Sequence, residues 1–143
     1  MAKTGYSGTP LLKKLGILPS MKVLIIHEPE AYATWLNEGN MLAPHPLQQQ
    51  YCRKGEQPAF VHVFAKNFRV FETEMKKLEK LISENKTLII WISWYKKSSG
   101  IATDLTEDCI RAYALQHGLV DVKVCAVSNE WSGLKLVVPL RDR

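Results

Sequence analysis

Met21-Lys22-Val23-Leu24-Ile25-Ile26, followed by His27-Glu28-Pro29-Glu30, is the stretch on which the reading of the fold turns. The first six residues read as the opening buried strand of an α/β sheet, apolar and rich in branched side chains. The turn after it lacks the glycines that cradle a nucleotide. Gly-x-Gly-x-x-Gly lets bare backbone approach a phosphate at a helix N-terminus. Glu28 and Glu30 instead push negative charge towards that point. The strand declares the class of fold, and its turn argues against ordinary dinucleotide chemistry.

Downstream, Phe60-Val61-His62-Val63-Phe64 and Thr87-Leu88-Ile89-Ile90-Trp91-Ile92 repeat the strand pattern. Between them Asn67 caps a helix whose apolar residues Phe68, Phe71, Met75, Leu78 and Ile82 recur at helical spacing. Asp104, three residues before Glu107, reads as a capping box that opens a further helix ending at His117-Gly118. Val120 to Val127 and Leu134 to Val138 are strands. The segment joining them is too short for a crossover helix, so this pair is antiparallel. Upstream, Thr9 suits an N-cap, Pro10 a first helical position and Gly16 a C-cap. A short helix is expected from about Glu30 to Asn37, and residues 38–58 read as an irregular excursion with a short edge strand around Leu47–Arg53.

The order β-α-(irregular)-β-α-β-α-β-β calls for right-handed crossovers and a mainly parallel sheet. One α/β domain is expected over residues 1–143: a three-layer, Rossmann-like, mostly parallel sheet with a C-terminal antiparallel hairpin, residues 1–20 forming an N-terminal arm and short helix. That arrangement resembles a truncated class I methyltransferase, with two early strands missing or reduced to the 38–58 excursion. Such a likeness concerns fold and carries no function.

A chain of 143 residues is long enough for one sizeable core. No apolar run approaches the ~20 residues of a membrane span, and no signal-length apolar segment opens the chain, so a cytoplasmic protein with no membrane partner is expected. Cys52, Cys109 and Cys125 form no C-x-x-C pair and read as reduced core thiols. No two histidines have ligand spacing, so no metal site is expected. The net charge of +5 invites a nucleic-acid reading, but basic and acidic residues alternate along the same helices, which argues against nucleic acid as a partner.

Parallel strands deliver their carboxyl ends to one rim, where open α/β sheets bind ligands. Lys96, Lys97, Ser98, Ser99, Thr103 and Asp104 arrive there just ahead of a helix N-terminus, a setting for a small anion. The competing reading is a solvated loop whose hydroxyls cap local backbone, with Asp104 already at the helix end. Trp131 and Ser132 in the hairpin turn add an aromatic wall, or else Trp131 packs into the core against the lysine loop. His27 and Glu28 end the first strand at the same rim, but as strand neighbours they point apart and make a poor base and orienter. Trp91 and Trp94 face opposite sides of their strand, His62 reads as a satisfied buried imidazole, and His45 as a surface residue. Gly5-Tyr6-Ser7-Gly8 lacks the strand and spacing of a nucleophile elbow. No catalytic residue and no cofactor are assigned.

Trp91-Ile92-Ser93-Trp94-Tyr95-Lys96-Lys97-Ser98-Ser99-Gly100, with Thr103-Asp104-Leu105-Thr106-Glu107-Asp108, resembles a bacterial domain-of-unknown-function family, number 3052. Gly118 to Val127, Trp131-Ser132-Gly133-Leu134-Lys135-Leu136, Gly5-Tyr6-Ser7-Gly8-Thr9-Pro10-Leu11 and Lys14-Leu15-Gly16-Ile17 extend the likeness. Tyr95 stands where that family often has proline, and the region from Asn37 to Pro58 does not match. The resemblance implies a small bacterial cytoplasmic protein and supplies no activity. The expected function is a non-catalytic module that binds a small anionic ligand or a protein partner at the carboxyl rim. The alternative is an S-adenosylmethionine-dependent transferase with an atypical cofactor site lined by Lys96, Asp104 and Trp131.

Overall fold

Three parallel strands, β1 (Val23–Ile26), β2 (Phe60–Phe64) and β3 (Ile89–Tyr95), lie side by side, and a C-terminal hairpin completes the sheet. The computed structural model describes residues 9–37 and 47–143. The hairpin strands are β4 (Val120–Ala126) and β5 (Trp131–Val137), and the strand order is β1-β2-β3-β5-β4. β5 runs antiparallel to both β3 and β4, so β4 points the same way as the parallel strands. The carboxyl ends of β1 to β4 and the start of β5 therefore share one rim. The described part is the mixed α/β sheet expected from the sequence.

Helices cover both faces. On one side α4 (Phe68–Glu84) and α5 (Glu107–Gln116) bury Phe71, Met75, Leu78, Ile110 and Ala114 against Val61, Val63, Ile90, Ile92 and Trp94. On the other, α1 (Leu11–Leu15) and α2 (Tyr32–Asn37) bury Leu11, Leu15, Tyr32 and Leu36 against Val23, Phe60, Phe64 and Trp91. Strand alternation thus sends Trp91 and Trp94 to opposite cores. The Trp91 indole N–H donates to the Leu15 carbonyl at 2.9 Å, pinning α1 to the centre of the sheet. Gly133 on β5 passes below that indole. A Cβ there would lie 2.9 Å from Val127 Cγ2 and 3.2 Å from Trp91 Cε3.

Several local expectations are corrected. Pro10, not Thr9, is the N-cap of α1, and its carbonyl accepts from the N–H groups of Lys13 and Lys14; Gly16 ends that helix at φ 79°. Where an edge strand was expected around Leu47–Arg53, one helical turn, α3 (Leu47–Gln50), precedes a single parallel bridge between Tyr51 and Val23. The Gln50 amide donates to the carbonyls of Leu18 and Met21, both at 2.8 Å, which fastens the turn beside β1 instead of along it. The capping box of α5 does not form: Thr106 is the N-cap, its hydroxyl accepting from Cys109 N–H. Asp104 caps the neighbouring helix, accepting from Phe68 N–H at 2.8 Å. Trp131 is not a turn residue but the first residue of β5, paired with Tyr95, because the carbonyl of Trp131 closes a tighter hairpin on Val127 and Ser128. Asn67 does cap α4, accepting from Val70 N–H. The thiols of Cys52, Cys109 and Cys125 are free and half-buried. His45, the Gly5–Gly8 segment and most of the N-terminal arm lie outside the described residues.

Candidate functional site

β3 ends at Tyr95, and the chain then makes a short 3-10 turn over Lys97–Ser99 before Gly100 redirects it at φ 78°. Local bonds fix this turn: the Ser99 hydroxyl donates to the Lys96 carbonyl at 2.6 Å and accepts from Ile101 N–H. The following segment is stitched to the loop after β2. The Thr103 hydroxyl donates to the Lys66 carbonyl at 2.8 Å, and Asp104 holds the first N–H of α4. Between the lysine turn, the start of α5 and the start of β5 lies a cleft of about 970 Å³, open to solvent.

Of the residues singled out from sequence, Lys96, Lys97, Ser98, Thr103 and Ser132 line this cleft together. Ser99 and Asp104 are spent on backbone, as their hydrogen bonds show. Trp131 is buried, stacked on Tyr95 at 4.2 Å between ring centroids and meeting Phe64 edge-on at 5.1 Å. Its indole supports the wall from behind. His27 and Glu28 lie at the end of β1 and do not line the cleft. They turn apart: His27 Nε2 lies 2.9 Å from the buried Glu74 carboxylate, while both carboxylate oxygens of Glu28 accept from the Tyr51 hydroxyl. His27 adopts φ 58°, the left-handed region that a side chain rarely occupies.

The electrostatics of the cleft depend on a residue that the sequence reading did not single out. Glu107 and Asp108 also line it, and both are ion-paired to Arg111, which in addition donates to Asp121 on β4 at 3.1 Å. The i,i+3 and i,i+4 spacing of these groups was the available signal. Hydrogen bonds to Glu107 and then Asp121 raise the Arg111 pKa, and its single charge offsets part of theirs. Lys96 and Lys97 enter none of the ion pairs among the described residues. Burial, and then the nearby Lys14 ammonium, lower the Lys96 pKa. The cleft therefore presents two cations outside any ion pair, beside the hydroxyls of Ser98 and Ser132, whereas the hydroxyl protons of Thr103 and Thr106 go to the Lys66 carbonyl and the Cys109 thiol.

A second polar group resembles a relay in distances but not in access. The Tyr32 hydroxyl lies 2.8 Å from His62 Nδ1, and His62 Nε2 lies 2.7 Å from Ser93 Oγ. A neutral imidazole has one donor and one acceptor nitrogen, and hydroxyls satisfy both. All three side chains are sealed from solvent, and burial drives the His62 pKa down to about 3. This is core chemistry. Among the described residues no three of His, Cys, Asp or Glu assemble to hold a metal ion, and no helix is long and apolar enough to cross a membrane.

The order of strands, helices on both faces and an inserted antiparallel strand define a Rossmann-like α/β fold of methyltransferase type. No family model matches the chain, and no curated protein matches it in sequence. Solved structures do. A Streptococcus agalactiae protein of the NADB-Rossmann superfamily superposes with a TM-score of 0.57 at 8% identity, covering 94% of this chain and 70% of its own. A putative tRNA (m1A22) methyltransferase from Streptococcus pneumoniae, in complex with S-adenosyl-L-methionine, gives 0.53 at 10% identity, covering 91% and 72%. At such identities the likeness concerns fold alone.

Proposed function

We propose that the chain is a non-catalytic binding module on a reduced methyltransferase-like sheet, and that its carboxyl-rim cleft takes a small anionic ligand. One observation carries this reading: Glu107 and Asp108 of the cleft wall are held by Arg111, while Lys96 and Lys97 enter no ion pair among the described residues and stand beside the Ser98 and Ser132 hydroxyls. Hydroxyl donors and ammonium groups together suit a carboxylate or phosphate. Membership of the bacterial domain-of-unknown-function family, and a cytoplasmic location, belong to the same proposal.

The test is a panel of mono- and dicarboxylates and phosphorylated compounds, scored by thermal shift and by amide chemical-shift changes. A ligand that moves the resonances of Ser98, Thr103 and Ser132, and loses affinity about tenfold in Lys97→Ala, supports the reading. Shifts spread over the surface, unchanged in that variant, would overturn it.

The alternative is an S-adenosylmethionine-dependent transferase, which the neighbour holding that compound brings into view. Against it stands the end of β1, where Glu28 closes onto Tyr51 and His27 onto Glu74 in place of a glycine turn. Calorimetry with S-adenosylmethionine and S-adenosylhomocysteine decides between the two. No heat at millimolar ligand is expected; a resolved isotherm sinks the non-catalytic reading.

A further inference from the structure

The hairpin carries cations on the sheet face that α1 overlooks. Register places Lys123 of β4 directly opposite Lys135 of β5, which itself lies opposite Trp91 of β3. Directly opposed residues share a face, so both lysines stand on the Trp91 side, with Cys125 two residues along from Lys123. Lys14 joins them from the end of α1, where Lys123 Nζ donates to the Lys14 carbonyl at 3.0 Å. Lys96 borders the group from the end of β3. Burial raises the Cys125 thiol pKa, and the charges of Lys14, Lys123 and Lys96 act against that rise.

None of these four lysines enters an ion pair among the described residues. Like charges facing each other across a strand pair destabilise a sheet, and burial disfavours the charged form of Lys96. Cations held at that cost, without a counter-charge, constitute a place for an anion. We propose that Lys14, Lys96 and Lys123 form a phosphate-binding subsite around Cys125, for a phosphomonoester or diphosphate group. Compact, multiply charged oxyanions suit it because Lys123 of β4 reaches the end of α1 at Lys14, and Lys96 follows β3 on the same rim. Lys96 also lines the cleft, so this inference deepens the reading given above: the cleft ligand is a phosphorylated compound whose anionic end reaches beyond Lys96. Lys14 and Lys123 do not line the cleft, which lets the two readings fail separately.

Cys125 is the built-in reporter. In the C52S/C109S variant it is the sole thiol, and modification is followed with a dianionic aromatic disulfide and a neutral one. Convergent cations favour the dianionic reagent by on the order of tenfold after normalising to a free thiol. Pyrophosphate at millimolar concentration is expected to remove that preference and to raise the melting temperature, whereas chloride at matched ionic strength leaves both in place. In Lys14→Gln/Lys123→Gln the preference and the pyrophosphate effect both vanish. Lys13→Gln/Lys86→Gln changes net charge equally and retains them. Equal loss in the two double variants, or equal protection by chloride, shows diffuse screening and overturns the subsite. Lys97→Ala separates the proposals: insensitivity there with protection intact refutes the cleft and leaves the subsite standing. Should the Lys14/Lys123 variant unfold, the pyrophosphate-against-chloride comparison on the parent still decides.

Discussion

His62 is carried into the core without its charge. Folding holds the imidazole neutral, with a pKa near 3 caused by burial, against 6.5 for an exposed histidine. Above pH 6.5 neither state binds the extra proton, and its contribution to stability is constant. Between 6.5 and 3 the unfolded chain takes up a proton that the fold refuses, so stability falls at about 1.4 kcal/mol per pH unit. Urea midpoints at pH 7 and pH 5 are expected to differ by roughly 2 kcal/mol of stability on this account. The His62→Gln variant, less stable overall, should show a correspondingly flatter pH dependence. Gly133 is the other residue where a single atom matters. In Gly133→Ala the new Cβ meets Val127 and the Trp91 ring, and a loss of about 1–3 kcal/mol in urea unfolding is expected.

Between elements, the β3–α5 loop behaves as a clasp. Asp104 and Thr103 belong in sequence to the approach of α5, yet they bond to the start of α4 and to the loop after β2. Asp104→Ala is therefore expected to accelerate amide exchange in the first turn of α4, not of α5, and to cost about 1 kcal/mol in urea unfolding. Asp104→Asn, which keeps an acceptor oxygen, should recover most of the loss. The same clasp shapes the cleft, because it fixes where Thr103 and Thr106 stand relative to Lys97. The capping-box reading failed here for a plain reason: Asp-x-x-Glu and Thr-x-x-Cys overlap in this stretch, and α4 competes for the carboxylate in space.

The two faces of the molecule are unequal. Long helices α4 and α5 cover one, while α1 and α2 contribute only five and six residues to the other. Leu15, fully buried between α1 and the sheet, carries much of that thinner layer. Leu15→Ala is expected to cost about 2–5 kcal/mol and to shift the Trp91 fluorescence as α1 loosens. A variant that leaves both unchanged would show that the thinner layer is not anchored through α1.

Periodicity and strand-length apolar runs were enough to determine the mixed sheet, its rim and the antiparallel hairpin, because burial on both faces imposes those patterns on the chain itself. Lys96, Lys97, Ser98, Thr103 and Ser132 were legible as rim residues for the same reason. Only the tertiary structure decided which side chains were already committed: Asp104 to α4, Trp131 to Tyr95, Glu28 to Tyr51, and two cleft carboxylates to Arg111. Such pairings depend on distances between separate elements, and sequence fixes the partners' chemistry without fixing which of them meet.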